Sequence, residues 1–260
     1  MRYSMRYPFV MSVPHGSYQI PGEIGSSFAL TEKEILESTD MGTRELFAAL
    51  PVRAALWARW SRLVVDLNRG PMQRDPKGVI PEEDYYKRKI YPDDCRPDEQ
   101  EVERRLQEYY WPYHNRLREA LEDPEVKVLF DCHSLTGIGP AGAPDPFKWR
   151  KDIVLGNNGD LHGEIKPGLG MITCPGDILH MVKEAFAHFG FSVSINYPYS
   201  GGFITVHYGE KLALRGKMAV QIEINQDLYL DNVSLHLKMD KLAEISKRLH
   251  HVFREISRQL

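Results

Sequence analysis

Four short apolar runs in this chain each end abruptly in polar residues, and that pattern limits the fold more than any other feature. Pro8–Pro14 (PFVMSVP) runs into His15-Gly16, Arg62–Leu67 (RLVVDL) into Asn68-Arg69-Gly70-Pro71, and Val126–Phe130 into Asp131-Cys132-His133-Ser134. Ala219–Ile224 (AVQIEI) alternates with a period of two and closes at Asn225. Apolar runs of this length bounded by turn formers read as buried strands. Ile153–Leu155 and Ser192–Asn196 are shorter strand candidates. Helical spacing fills the intervals. Thr31 to Leu50 predicts a helix opened by a Thr31–Glu34 capping box, with Leu46, Phe47 and Leu50 on its apolar face. Asp98–Leu121, Asp177–Phe189 and Leu235–Leu260 predict three more. Gly70–Pro97 has no clear period and predicts a long surface excursion, and Gly137–Pro146 is a Gly/Pro-rich loop.

Strands alternating with helices predict an α/β fold, a single domain over residues 1–260 with a mainly parallel, mixed sheet flanked by helices. Such sheets bind ligands beyond the carboxyl ends of their strands. His15, Asn68, Arg69, His133 and Glu223 all lie at or just past predicted strand ends, which argues for one shared site.

Charge and cysteine usage narrow the function classes. With 33 Lys and Arg against 36 Asp and Glu, the chain offers no electrostatic reason to bind nucleic acid or an anionic membrane. Three scattered cysteines without a CxxC pair argue against a disulfide framework and for a reducing compartment. No stretch approaches the ~20 apolar residues that span a bilayer, and the N-terminus lacks a long apolar leader, so a cytoplasmic location is expected. Sequence says nothing of oligomeric state.

The polar strand ends hold metal-ligand chemistry. Neutral imidazole is a good zinc ligand, and a catalytic zinc usually takes three protein ligands plus water. His15 and His133 are the candidates, with Asp131 placed either to orient the His133 ring or to cap the loop. A carboxylate should complete the set: Asp40 is the first choice, and Glu23 the alternative because it follows the first strand more closely. Glu223, on the polar face of its strand, suits a general base. Arg69 can grip a carboxylate bidentately, with Asn68 beside it. Gly201-Gly202 allow close backbone approach, and Tyr197, Tyr199, His207 and Tyr208 add polar-tipped aromatics nearby, as in a substrate-covering loop or a tight hairpin. His114 reads as a buried, hydrogen-bonded structural residue.

VPHGSYQIP, STDMGTREL, VVDLNRGP, YHNRL, FDCHS, NYPYSGGFITVHYG and AVQIEINQDLYL follow one another in an order that resembles the N-formylglutamate amidohydrolase family, from about His15 to Tyr229. The resemblance implies a phosphorylase/hydrolase-like, zinc carboxypeptidase-like α/β fold, related to the aspartoacylase and succinylglutamate desuccinylase group. Those relatives carry a His-x-x-Glu pair and a later His; here His15 and His133 match the histidines, but Tyr18 stands where the Glu should be. The family's Thr-Asp element places the third ligand at Asp40. Asn68 and Arg69 then hold the substrate's carboxylate, and Glu223 is the base. The implied reaction is metal-dependent hydrolysis of N-formyl-L-glutamate to formate and L-glutamate, with zinc or another divalent ion. Another N-acyl amino acid, or a non-catalytic binding homologue, are the alternatives.

Overall fold

The computed structural model describes residues 6–260, so the first five residues of the stretch read for a leader lie outside it. Six strands form one sheet in the order β2-β1-β3-β6-β4-β5. β1 is Tyr7–Val13, β2 Val52–Trp57, β3 Val128–Leu135, β4 Ile153–Gly156, β5 Val193–Ile195 and β6 Met218–Asn225. All neighbours run parallel except β4 against β6, so the sheet is mainly parallel and mixed, as expected. A parallel sheet is covered on both faces, and the strands show it: β3 is buried at every position.

Side chains alternate across the sheet, so each strand feeds two cores. Phe9, Met11 and Val13 of β1, Val128, Phe130 and Cys132 of β3, and Val220, Ile222 and Ile224 of β6 share one core. That core is closed by α3 (Thr43–Phe47), α6 (Gly176–His188) and α8 (Met239–Gln259), with Phe253 packed against Phe9, Phe47, Phe130 and Phe186. Val10, Leu129 and Ala219 face the other core, which is closed by α4 (Glu99–Arg105), α5 (Trp111–Glu122) and α7 (Phe203–Ala213). A single π-helical turn, Leu106–Tyr110, joins α4 to α5, within the long helix expected there. α1 (Gly22–Gly25) and α2 (Glu32–Glu37) lie in the connection between β1 and β2. Among the described residues no helix is long and apolar enough to cross a membrane.

Three expectations change. Arg62–Leu67 is not a strand. Its backbone turns locally, Val64 N–H donating to Ser61 O and Asp66 N–H to Val79 O, while Leu63, Val65 and Leu67 are buried. An apolar run reports burial and not strand pairing; the edge of the sheet is taken instead by Val52–Trp57, in parallel register with β1. The helix expected over Thr31–Leu50 is two helices. The capping box opens α2 as expected, but the chain bends at Ser38–Gly42 before α3 begins. Gly42 adopts φ +80° there, and a Cβ would meet the Tyr229 ring at 2.7 Å, so only glycine makes this bend. Finally, the 70–97 excursion is irregular but not confined to the surface: Val79, Ile80, Ile90 and Tyr91 are buried, and Tyr85 reaches the cavity described next.

A candidate metal centre and the cavity around it

The bend before Gly42 delivers Asp40 to the carboxyl edge of the sheet. Asp40 N–H donates to His15 O at 3.0 Å, which ties the bend to the residue after β1, and Thr43 Oγ1 donates to Asp40 O at 2.6 Å. His15 follows Pro14 at the end of β1, and His133 sits near the end of β3, on the face that carries Leu129 and Asp131. These three buried side chains converge. His15 Nδ1 lies 3.2 Å from His133 Nδ1 and 3.6 Å from Asp40 Oδ2, and His133 Nδ1 lies 3.2 Å from Asp40 Oδ2.

That spacing can be compared with a metal's requirements. Donors about 2.0–2.1 Å from a tetrahedral zinc lie roughly 3.3 Å from one another, so the triangle already matches one face of such a site. The donor set fits as well, because the nitrogens facing away from the triangle are backed by carboxylates. His15 Nε2 is 2.8 Å from Asp66 Oδ1, and Asp66 is in turn held by Arg62 Nη2 at 2.7 Å. His133 Nε2 is 3.1 Å from Asp131 Oδ1. A proton on each Nε2, shared with an aspartate, leaves Nδ1 free to accept a metal. The group could therefore hold a metal ion.

Burial alone would raise the Asp40 carboxyl, but hydrogen bonds from His133 and His15 outweigh it and hold the group ionised, well below the usual carboxylate range; those bonds are donated from Nδ1, and a metal bound there would take the place of the protons. Asp66 behaves likewise, burial being outweighed by the charge of Arg62 and the contact with His15. Glu23, the alternative third carboxylate, is exposed and accepts a hydrogen bond from Tyr109 at 3.2 Å; it is not in the group. Tyr18, at the position where related hydrolases carry Glu, is 52% exposed and also outside it.

Glu223 stands beside the triangle because β3 and β6 run in parallel register, with Asp131 opposite Gln221 and His133 opposite Glu223. All four project from one face, the face opposite Val220, Ile222 and Ile224. Burial pushes the Glu223 carboxyl up to about 8, with His133 opposing and Asp40 and Asp131 adding to the rise. Gln221, a residue for which the sequence reading had no role, fixes this carboxylate. Gly202 N–H donates to Gln221 Oε1 at 2.6 Å, which sets the amide's orientation, and Gln221 Nε2 then donates to Glu223 Oε1 at 3.0 Å. The only local signal was its position two residues before Glu223, on the same strand face.

Asn68 and Gly202 meet in the same network. Asn68 Oδ1 accepts from Ile204 N–H at 2.7 Å, its Nδ2 lies 3.1 Å from His133 Nε2, and a Cβ on Gly202 would come within 2.3 Å of Asn68 Nδ2. Gly201-Gly202 do not form a hairpin: Gly202 caps α7, which carries His207 and Tyr208 away from the cavity. Tyr208 instead bonds His114 Nδ1 at 2.9 Å, while His114 Nε2 donates to Leu67 O at 3.0 Å, the buried structural role expected of that histidine. Arg69 lines the cavity, its Nε and Nη1 donating to Lys77 O and Asn68 O, and among the described residues no carboxylate is paired with it.

The three candidate ligands, Glu223, Asn68, Arg69, Gly201 and Gly202 thus border one cavity of about 240 Å³. Arg150, Tyr85 and Tyr199 are also part of its wall; Tyr199 belongs to the segment of Gly201-Gly202, whereas Tyr85 and Arg150 come from distant segments that nothing local in the sequence ties to the site.

Known proteins resemble this chain in sequence and in fold. The family model described as N-formylglutamate amidohydrolase matches residues 7–230. Two curated relatives named N-formylglutamate deformylase align with the chain. The one from Pseudomonas aeruginosa is 28% identical over 98% of this chain and 93% of its own length, and the one from Pseudomonas putida 25% identical over 92% and 88%. The crystal structure of an N-formylglutamate amidohydrolase from Ralstonia eutropha JMP134 superposes with a TM-score of 0.78, at 21% identity, covering 99% of this chain and 95% of that one. A gene product from Agrobacterium tumefaciens superposes with a TM-score of 0.64 at 22% identity, over 96% and 90% of the two chains. The structural likeness concerns the fold.

Proposed function

The chain belongs to the N-formylglutamate amidohydrolase family, and on that premise we propose that it hydrolyses N-formyl-L-glutamate to formate and L-glutamate, with zinc on His15, Asp40 and His133. The observation that carries the reading is the donor triangle, with edges of 3.2, 3.2 and 3.6 Å, set directly beside a carboxylate on the neighbouring strand. The names of the two Pseudomonas relatives supply the substrate.

A zinc ion held there would supply Lewis acidity, making water acidic enough to act as a nucleophile at neutral pH and polarising the scissile carbonyl. The protein's own groups do the rest. Gln221 occupies Oε1 of Glu223, so Oε2 is the oxygen left to take a proton from the attacking water. As the new C–O bond forms and the C–N bond breaks, Glu223 returns that proton to the departing amine. Arg69, which among the described residues is paired with no carboxylate, grips a carboxylate of the substrate, and Asn68 adds a directional contact. Gly202, lacking a side chain, keeps the wall between Asn68 and Gln221 thin enough for the substrate to lie against it.

Metal analysis of the purified protein, paired with an assay of formate release before and after chelation, tests the reading. Near-stoichiometric zinc and activity that returns when zinc is restored are expected; full turnover in a zinc-free protein overturns the zinc assignment. Turnover of other N-acyl amino acids in place of the formyl compound overturns the substrate.

A further inference from the structure

N-formylglutamate carries two carboxylates, and Arg69 with Asn68 accounts for one. We propose that Tyr85, Tyr199 and Arg150 form a second anion subsite in the same cavity, which receives the side-chain carboxylate of an N-acyl dicarboxylic amino acid. The inference rests on the proposed function for the identity of the ligand, and on separate geometry for its place.

The two phenols arrive from different segments, Tyr85 from the long excursion and Tyr199 from the loop after β5, and their hydroxyls hydrogen-bond to each other within the cavity wall. Two hydroxyls that share one hydrogen bond keep one proton for a ligand. Burial pushes the Tyr199 phenol well above its ordinary value, so it stays a donor at neutral pH. Behind it stands Arg150, whose Nη2 is 3.4 Å from the Tyr199 hydroxyl and whose side chain is only 2% exposed.

The arrangement is rigid and its charge is directed. Asp145 grips Arg150 through Nε at 2.8 Å and Nη2 at 2.6 Å, and Nη1 donates to Thr136 O at 3.2 Å. Arg150 lines the cavity, whereas the fully buried Asp145 does not, so the positive end of the pair faces the ligand. The remaining arginine of the cavity near the metal group, Arg62, is committed to Asp66 and cannot serve a substrate. A carboxylate here meets phenolic donors backed by Arg150, at a place served by loops other than the one that carries Asn68 and Arg69.

Comparing substrates on variants tests this. Wild type, Tyr199→Phe and Tyr85→Phe, each zinc-loaded, are assayed on N-formyl-L-glutamate and on N-formyl-L-alanine, which lacks the side-chain carboxylate, and binding of both compounds is also measured by calorimetry. Loss of one charge-assisted hydrogen bond should raise KM and Kd for N-formylglutamate about ten- to a hundredfold in Tyr199→Phe. kcat, and both constants for N-formylalanine, should stay within about twofold. Equal losses on the two compounds, or no loss on either with both variants, overturn the subsite. A protein that turns over neither compound overturns the proposed reaction instead, and the calorimetric Kd ratio between wild type and Tyr199→Phe then decides the subsite alone.

Discussion

His133 on β3 and Glu223 on β6 are register partners in the parallel sheet, so a candidate metal ligand and a candidate base project side by side from one face. Strand pairing of this kind is set by the packing of the whole sheet, and it gives the two groups a fixed separation that a loop could not. Glu223→Gln keeps the size and polarity of the side chain while removing its capacity to accept a proton. We expect zinc content to be unchanged and kcat to fall by about a hundredfold or more. Activity within a few-fold of wild type would remove Glu223 from the reaction.

Gln221 offers a subtler test. Gln221→Met should leave zinc content and KM near wild type, yet lower kcat by roughly tenfold, because the carboxylate loses the donor that selects its reactive oxygen. A parallel loss of zinc and thermal stability would mean that Gln221 merely supports the fold.

The aspartates behind the histidines can be separated from the ligands. His15→Ala, His133→Ala and Asp40→Asn should each lose zinc outright under mild dialysis. Asp66→Asn, which removes the negative charge behind His15 Nε2, should weaken zinc affinity by about ten- to a hundredfold. Competition against a chelating dye distinguishes the two classes, and an Asp66→Asn affinity equal to wild type would deny the aspartate that function.

Buried His114 predicts the acid side of the stability profile. Burial lowers it from its ordinary 6.5 to about 4, so the unfolded chain binds the extra proton first as pH falls. The stabilisation is complete above pH ~6.5 and drains away between pH ~6.5 and ~4, by up to about 3 kcal/mol. Chemical denaturation at stepped pH should show that slope in wild type and a shallower one in His114→Gln.

Phe253 tests the core under the sheet. It meets four other phenylalanines and is fully buried, so Phe253→Ala should cost about 3–5 kcal/mol of stability. A loss under 1 kcal/mol in denaturant titration would show that the core closes over the gap.

Much of the molecule was legible in the sequence because its signals are local. The period-two run at β6, the capping box at Thr31 and the apolar run at Val126 each carry their own structural instruction, and His133 and Glu223 from the polar ends of two of these segments border one cavity. Burial was readable even where pairing was not: Arg62–Leu67 is apolar and buried, but only the assembled sheet decided that Val52–Trp57 would take the edge beside β1. The choice of Asp40 over Glu23 as the neighbour of the histidines depended on a left-handed Gly42 wedged against Tyr229, nearly two hundred residues later in the chain. Gln221, Arg150 and Tyr85 became part of the site only in three dimensions. Side-chain periodicity fixes which face a residue occupies, whereas the distance between two faces or loops depends on long-range packing, to which no single segment holds the key.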